Sequence, residues 1–448
     1  MIITNLFNLE NEIAEVANEY GVAFDIILNA SFFDRKMGVV VEFEGKKYNY
    51  EYDLTYSTEL ERKRYVKRFA KLSCYKALKD HFGYSMPWGA LTGIRPTKLA
   101  YQQGENWKNF FLDTMLVSES KTQLVEKILE AQKGLLPSDK PFDDLFIGIP
   151  FCPTRCAYCS FLSCELGREK HVNEYIAALL KEIEAAKAMG KKYRSLYIGG
   201  GTPVSLSDSD FEKVICAAAG DYIEFTVEAG RPDCITETKL EIMKRYGVTR
   251  VCVNPQTFSD KTLALIGRRH TAEDVVEKYR LVKRFGFEVN MDLIAGLPEE
   301  SFDGFKYSLE KAISLDPENI TVHTLCLKKG SRLKESEQRL SVDDIDKMVA
   351  FAHASLQNAG YVPYYLYRQK YMAGNLENTG YAKPGHECAY NVDIMEEVAN
   401  IVACGANAIS KRIYPEEERI ERLSAPKDIK TYIEKVDALL EEKYSLFS

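Results

Sequence analysis

The sequence predicts an α/β protein whose centre is a parallel sheet, doubly wound or barrel-like, and three observations carry that expectation. Six short apolar runs have strand length and bulk: Leu145 to Ile149, Ser195 to Ile198, Glu224 to Val227, Arg250 to Val253, Glu288 to Met291 and Asn319 to His323. The stretches between them, such as Glu174 to Met189 and Ala272 to Phe285, are amphipathic and long enough to cross a sheet as helices. Upstream, Gly134 to Asp144 holds two Pro, one Gly and three Asp, which is linker chemistry and marks where the alternation begins.

In chain order, residues 1–140 read as an N-terminal α+β accessory domain. Leu9, Ile13, Val16 and Tyr20 recur at helical spacing, and Val39 to Phe43 and Lys47 to Asp53 are β-rich runs joined through Glu44-Gly45, a hairpin signal. Thr58 and Glu61 form a capping box opening a helix with Tyr65, Phe69 and Leu72 facing inward. Its basic residues, among them Arg62, Lys63, Arg64, Lys67, Arg68 and Lys71, fit a solvated face or a surface for an acidic partner. The strand–helix units fill residues 141–330. From about Gly330 the alternation stops, so residues 331–448 are expected to form a helix-rich C-terminal domain with an irregular stretch from Tyr361 to Pro384.

Composition narrows the function classes. The 448 residues are 46% apolar and 28% charged with a net charge of -7, a globular balance long enough for two or three domains. An acidic chain is a poor nucleic-acid binder, because phosphate contacts need clustered Lys and Arg. No apolar run approaches the ~18 residues of a membrane span. The start, Met1-Ile2-Ile3-Thr4-Asn5, lacks the basic and apolar regions of a signal peptide, so a cytoplasmic protein is expected. Eleven cysteines in such a chain read as core residues or ligands rather than disulfides.

Three of them stand apart. Cys152, Cys156 and Cys159 follow the first strand of the series at CxxxCxxC spacing, which lets one loop wrap its thiolates around a single soft-metal centre. Three thiolates leave one position open, where a cofactor or substrate can coordinate an iron–sulfur cluster. The alternative is a loop zinc site completed by a remote residue such as Cys164 or His171. Tyr158 and Phe161 add apolar bulk to shield a cluster. The second strand runs into Gly199-Gly200-Gly201-Thr202-Pro203, either a tight turn or a place where backbone N–H groups approach a ligand closely. Glu228 ends the third strand, Gln256 and then Arg268 follow the fourth, and Asp292 ends the fifth before Gly296-Leu297-Pro298. Several polar side chains at the C-terminal edge of one parallel sheet form a common mouth, where barrel enzymes place their chemistry. By contrast, Cys74, Cys216, Cys234, Cys252 and Cys326 read as small core residues and His323 as a satisfied core histidine. His270 fits a helper of Arg268 or a helix cap.

These motifs together resemble the radical S-adenosylmethionine (SAM) superfamily. More closely, Ile149-Pro150-Phe151-Cys152, the run Tyr197 to Pro203, Gln256-Thr257-Phe258 and Asp292 to Pro298 resemble oxygen-independent coproporphyrinogen III oxidase and its relatives. Leu91-Thr92-Gly93-Ile94-Arg95-Pro96 and the block from Arg368 to Ser410 are similar to a coproporphyrinogen dehydrogenase subgroup of that family. The resemblance implies a partial (β/α)6-type barrel with a 4Fe–4S cluster on Cys152, Cys156 and Cys159, whose open iron takes the amino and carboxylate groups of SAM. It further implies that the Gly199, Gly200, Gly201 and Thr202 backbone and Glu228 receive the SAM ammonium, that Arg268 pairs with the carboxylate, and that Gln256 and Asp292 bind the ribose hydroxyls. Phe146 and Tyr158 would lie beside the cofactor. Departures are visible too: the oxidases carry Tyr-x-His where Phe146 and Gly148 stand, and a further Cys where Ser160 and Phe161 stand.

The reaction implied is oxidative decarboxylation of two propionates of coproporphyrinogen III to vinyl groups, giving protoporphyrinogen IX through a 5′-deoxyadenosyl radical. Electrons would come from a donor such as flavodoxin or ferredoxin. The alternatives are a haem chaperone of the same family and, outside radical chemistry, a zinc-stabilised binding module. For the substrate, Tyr381 to Asn391 crowds polar and aromatic residues onto a Gly/Pro loop that would close over the mouth, or is an ordinary interdomain loop. Arg368, Lys370 and Asn375 would suit the carboxylates of a tetrapyrrole, and His386 or Cys388 the iron of haem.

Overall fold

The structure, a computed structural model, describes residues 1–159, 164–326, 342–369 and 376–448. The chain divides into two compact units, one of residues 1–126 with the described residues of 368–376, the other of the remainder.

In the first unit β1 (Ile2–Thr4), α1 (Glu10–Glu19), β2 (Ile26–Phe33), β3 (Lys36–Phe43), β4 (Lys46–Asp53) and α2 (Glu59–Phe82) build a sheet of order β1-β2-β3-β4 with helices packed on it. Strand period decides its buried face: Met37, Val39, Val41 and Phe43 of β3 are buried while their neighbours face outward. The capping box forms, Thr58 Oγ1 accepting from the Glu61 N–H at 3.1 Å and Glu61 Oε2 from the Thr58 N–H at 3.1 Å. Phe69 and Leu72 are buried beneath the helix, and Gly83 ends it at φ 77, a left-handed conformation that suits a residue without Cβ. Then follow α3 (Pro96–Gln103), α4 (Trp107–Asn109) and α5 (Glu119–Ala131), within which the division between units falls.

The second unit alternates strands and helices. β5 (Phe142–Ile149) leads to a two-residue pair, β6 (Phe151–Cys152) and β7 (Cys164–Glu165), and to α6 (Val172–Ala188). Next come β8 (Ser195–Gly200), α7 (Asp208–Ala218), β9 (Glu224–Glu228), α8 (Glu237–Arg245) and β10 (Arg250–Cys252). α9 (Asp260–Leu265), α10 (Ala272–Arg284), β11 (Glu288–Ala295), α11 (Phe302–Leu315) and β12 (Asn319–Thr324) complete the series. The C-terminal region adds α12 (Val342–Asn358), β13 (Val362–Tyr367), β14 (Asn378–Ala382), α13 (Ala389–Glu396), β15 (Ala399–Cys404), β16 (Ile409–Tyr414), β17 (Arg419–Ser424) and α14 (Ile429–Phe447).

Among the described residues these strands form one sheet of order β13-β14-β12-β11-β10-β9-β8-β5-β15-β16-β17. The seven from β12 to β15 are parallel, and an antiparallel pair flanks them on each side. The fold is thus α/β around a mostly parallel sheet, with β13 and β17 as its outermost strands among the described residues. Leu145, Ile147, Leu196, Ile198, Val227, Val251, Val289, Met291, Ile320 and Val322 are all buried on one face; each such side chain stabilises the fold by ~1.5–3 kcal/mol. The alternate positions, among them Phe146, Tyr197, Glu228, Asn290 and Asp292, are polar or aromatic and meet one another across the other face.

Two expectations are corrected. The division expected at residues 140 and 330 gives way to one near Glu126, because β15 hydrogen-bonds beside β5 and ties the C-terminal region into the same unit as the strand series. Among its described residues that region holds the expected helices and also five strands, two of them within the stretch from Tyr361 to Pro384 that reads as irregular. Pro363 obscures β13, yet it is tolerated because β13 is an edge strand whose register shifts between Pro363 and Tyr365.

Candidate active site

The cysteine loop leaves the end of β5 and is held by the connections that follow its neighbours. Cys152 Sγ lies 3.3 Å from Thr202 Oγ1 after β8. The Ala157 N–H donates to the Ile266 carbonyl at 2.9 Å, and Tyr158 packs on the buried cluster of Leu263, Ile266, Ile294 and Leu297. Burial pushes the Cys152 thiol up to about 11, with Cys159 and Cys156 near enough to add to the effect, so a bound metal must displace a firmly held proton. Among the described residues no group of three or more His, Cys, Asp and Glu side chains is arranged to hold a metal ion. The donor set nonetheless fits a cluster, which is larger than one ion: three soft thiols on one short loop. His171, the zinc ligand considered from sequence, faces Glu174 instead at 3.8 Å.

At the C-terminal edge of the parallel strands, Glu228 accepts a hydrogen bond from the Tyr197 hydroxyl at 2.6 Å. Burial raises its carboxyl to about 7, and Asp292 nearby pushes the same way. Asp292 accepts from Asn290 Nδ2 at 2.8 Å and stands 3.7 Å from His323 Nε2, whose Nδ1 is 3.4 Å from the Tyr367 hydroxyl. Gln256 is stitched onto β11, its N–H donating to the Asp292 carbonyl and its carbonyl accepting from the Ile294 N–H. It does so at φ 67, a strained conformation for a residue with a side chain, of the kind that concentrates at functional sites. Phe146 stacks with Tyr197 and Tyr390 at ring distances of 6.4 and 6.3 Å, below Gly148 and Gly199 in the same register. Asn254 Oδ1 and Arg268 Nε are buried without a hydrogen-bond partner, which in a folded protein calls for a ligand or water.

Several expected roles change when the geometry is known. The N–H groups of Gly201 and Thr202 are committed to the carbonyls of Ile149 and Phe151, at 2.6 and 2.7 Å, so they do not reach a ligand. A Cβ on Gly201 would lie 2.6 Å from the Phe151 carbonyl oxygen; this glycine serves close packing against the cysteine loop. Gly200 takes φ 101, again a glycine conformation. Arg268 is already engaged: its NH1 donates to the carbonyls of Gly230 and Asn254 and its NH2 to the Tyr158 hydroxyl at 2.9 Å.

The substrate residues fare differently. His386 does not lie at the mouth. Its ring is 2.7 Å from Glu288, the first residue of β11, and its carbonyl accepts from Arg250 and Asn319, the first residues of β10 and β12. Cys388 donates to Glu224, the first residue of β9. Both therefore occupy the N-terminal edge of the sheet, opposite Asp292. Arg368 belongs to the first unit and is 2% exposed, with its guanidinium over Trp88 and on the Leu91 carbonyl and its N–H on the Ile94 carbonyl. It is not presented to a propionate. Lys370, Asn375 and Phe161 lie outside the described residues. Cys216 is exposed rather than core, and His270 faces Asp233 while Thr271 caps the helix.

Sequence reasoning missed Tyr197, Asn254, Asn290 and His323. Tyr197, Asn254 and Asn290 each sit two residues from a position already singled out, Gly199, Gln256 and Asp292, so the period-2 rule for strand faces was the signal available; His323, read as a core histidine, pairs with Ile294 and carried no such signal.

The radical SAM superfamily model matches residues 146–312. The oxygen-independent coproporphyrinogen-III oxidase-like protein HemZ of Bacillus subtilis is 37% identical over 98% of this chain and 93% of its own length. The chain belongs to that family. It is also similar to the heme chaperone HemW of Bacillus subtilis, 36% identical over 40% of this chain and 49% of that protein, and to HemW of Escherichia coli, 28% identical over 61% and 71%. Among solved structures, coproporphyrinogen III oxidase (HemN) from Escherichia coli shares the fold with a TM-score of 0.55, at 21% identity over 69% of this chain and 72% of that one. The superfamily uses a 4Fe–4S cluster and SAM. No helix among the described residues is long and apolar enough to cross a membrane.

Proposed function

We propose that this chain is a radical SAM oxidoreductase of haem biosynthesis, converting two propionates of coproporphyrinogen III to vinyl groups without oxygen. The observation that carries the reading is the convergence of the cysteine loop with Glu228, Gln256 and Asp292 on one strand edge, in a chain 37% identical to HemZ. Cys152, Cys156 and Cys159 would hold the cluster, which with SAM supplies hydrogen-atom abstraction from an unactivated carbon. Glu228 receives the SAM ammonium, Gln256 and Asp292 accept the ribose hydroxyls, and Arg268 offers its Nε toward the carboxylate. The Phe146–Tyr197–Tyr390 stack keeps water from beneath the reacting centre. A one-electron donor such as flavodoxin or ferredoxin would supply the electron that SAM cleavage consumes, and a one-electron acceptor would take the electron left on the substrate as each carbon dioxide departs.

Anaerobic incubation with SAM, dithionite and coproporphyrinogen III, followed by mass analysis, tests this. The expected product has lost two carboxyl groups; intact tetrapyrrole would count against it. The second reading, a haem chaperone, is favoured by the similarity to HemW. It expects stoichiometric haem binding without change to the tetrapyrrole. Engagement of His386 by Glu288 and of Cys388 by Glu224 supports turnover over haem carriage by those two residues.

A further inference from the structure

Arg231 lies just past Glu228 on the connection after β9 and is 3% exposed. Its Nε and NH2 donate to the two oxygens of Asp233 at 2.9 and 2.8 Å, a bidentate clamp that fixes the plane of the guanidinium. Burial alone would raise the Asp233 carboxyl, but the His270 ring 3.7 Å away and the hydrogen bonds from Arg231 hold it well below the usual carboxylate range, so the clamp stays charged at any ordinary pH. The remaining nitrogen, NH1, points into the cysteine loop. It donates to Thr154 Oγ1 at 3.0 Å and lies 3.9 Å from Cys156 Sγ. Arg268 also bears on the same sulfur, while its other hydrogen bonds go to Tyr158 and two carbonyls. Arg231 is thus a buried, permanently cationic donor, held by a carboxylate on one side and aimed at a cluster cysteine on the other.

Hydrogen bonds to the sulfurs, and charge beside them, set the reduction potential of an iron–sulfur cluster, because a nearby cation favours the state carrying the extra electron. We infer that Arg231, positioned by Asp233, tunes the cluster held by Cys152, Cys156 and Cys159 toward easier reduction. The inference rests on the reading that these three cysteines hold the cluster, and the experiment separates the two.

The anaerobically reconstituted protein is first assayed for iron, and its cluster is then titrated with dithionite under EPR in the absence of SAM. A parent protein without a four-iron cluster overturns the site reading itself. With the cluster present, Arg231→Gln is expected to keep its iron and to shift the one-electron reduction equilibrium at least tenfold toward the oxidised form, about 59 mV more negative. Arg231→Lys keeps the charge but loses the fork, so an intermediate shift in the same direction is expected. Arg245→Gln, which removes an exposed charge paired with Glu212 at the end of α8, is expected to leave the potential unchanged. An unmoved potential in Arg231→Gln overturns the inference. So does parental potential in Arg231→Lys where the Gln variant has lost its iron, and so does loss of the cluster from both, which would assign Arg231 to loop folding alone.

Discussion

At Glu228 the side chain that would take the SAM ammonium is a carboxyl raised to about 7, chiefly by burial. It must be ionised to bind a cation, so SAM affinity is expected to rise about tenfold between pH 6 and pH 8 and to lose this dependence in Glu228→Gln. Equilibrium dialysis across that range measures it. The sign is opposite for stability, since charging a buried group whose pKa is raised disfavours the fold as pH rises from about 4.5 toward 7. Asp292, held by Asn290 and facing His323, is expected to contribute a charge-assisted contact of about 1.5–3 kcal/mol. Asp292→Ala should therefore weaken SAM binding roughly 10–150-fold while iron content stays that of the parent. The residue types at these positions were legible in the sequence because they end strands. The state of Arg268 was not, because nothing in one chain segment says that the carbonyls of Gly230 and Asn254 will capture its guanidinium.

Elements were legible where one period sufficed. The six main-sheet strands β5, β8, β9, β10, β11 and β12 are each an apolar run next to an amphipathic helix, whereas β15 joins the sheet beside β5 from more than two hundred residues away, and pairing over that distance leaves no local mark. Two buried networks fix the late elements in place. Asp393 of α13 meets Asp144 of β5 and receives Arg194 NH1 at 2.7 Å; burial pushes both carboxyls upward, and the Asp144 charge adds to the rise at Asp393. The fold then holds protons that the unfolded chain releases, so this pair loses stability as pH rises above the ordinary carboxylate range. Urea unfolding at pH 5 and pH 8 is expected to show a smaller loss in Asp393→Asn than in the parent. On α14, Lys443 pairs with Glu182 of α6, which also accepts from the Tyr432 hydroxyl and the Gly405 N–H at 2.6 Å each. Lys443→Met strands a buried charge and is expected to cost about 3–5 kcal/mol of unfolding free energy, measured the same way.

For the whole molecule, the decisive fact is which edge of the sheet a loop reaches. β14 runs antiparallel to β12, so the chain leaving β14 emerges at the N-terminal ends of the parallel strands and carries His386 and Cys388 there. A Gly/Pro loop rich in polar residues gave the sequence reading no direction, and its assignment to the mouth failed for that reason. The cysteine loop and the strand-end residues escaped this ambiguity, since parallel strands joined by helices put every C-terminal end on one side. That common edge as a SAM site beside a cluster is the central claim. EPR spectra of the reduced, anaerobically reconstituted protein, recorded before and after addition of SAM, test it most directly. A four-iron signal that changes with SAM in the parent and in His386→Ala, but not in the Glu228→Gln, Asp292→Ala double variant, is the expected result; stoichiometric zinc, or an iron–sulfur signal indifferent to SAM in the parent, would contradict it.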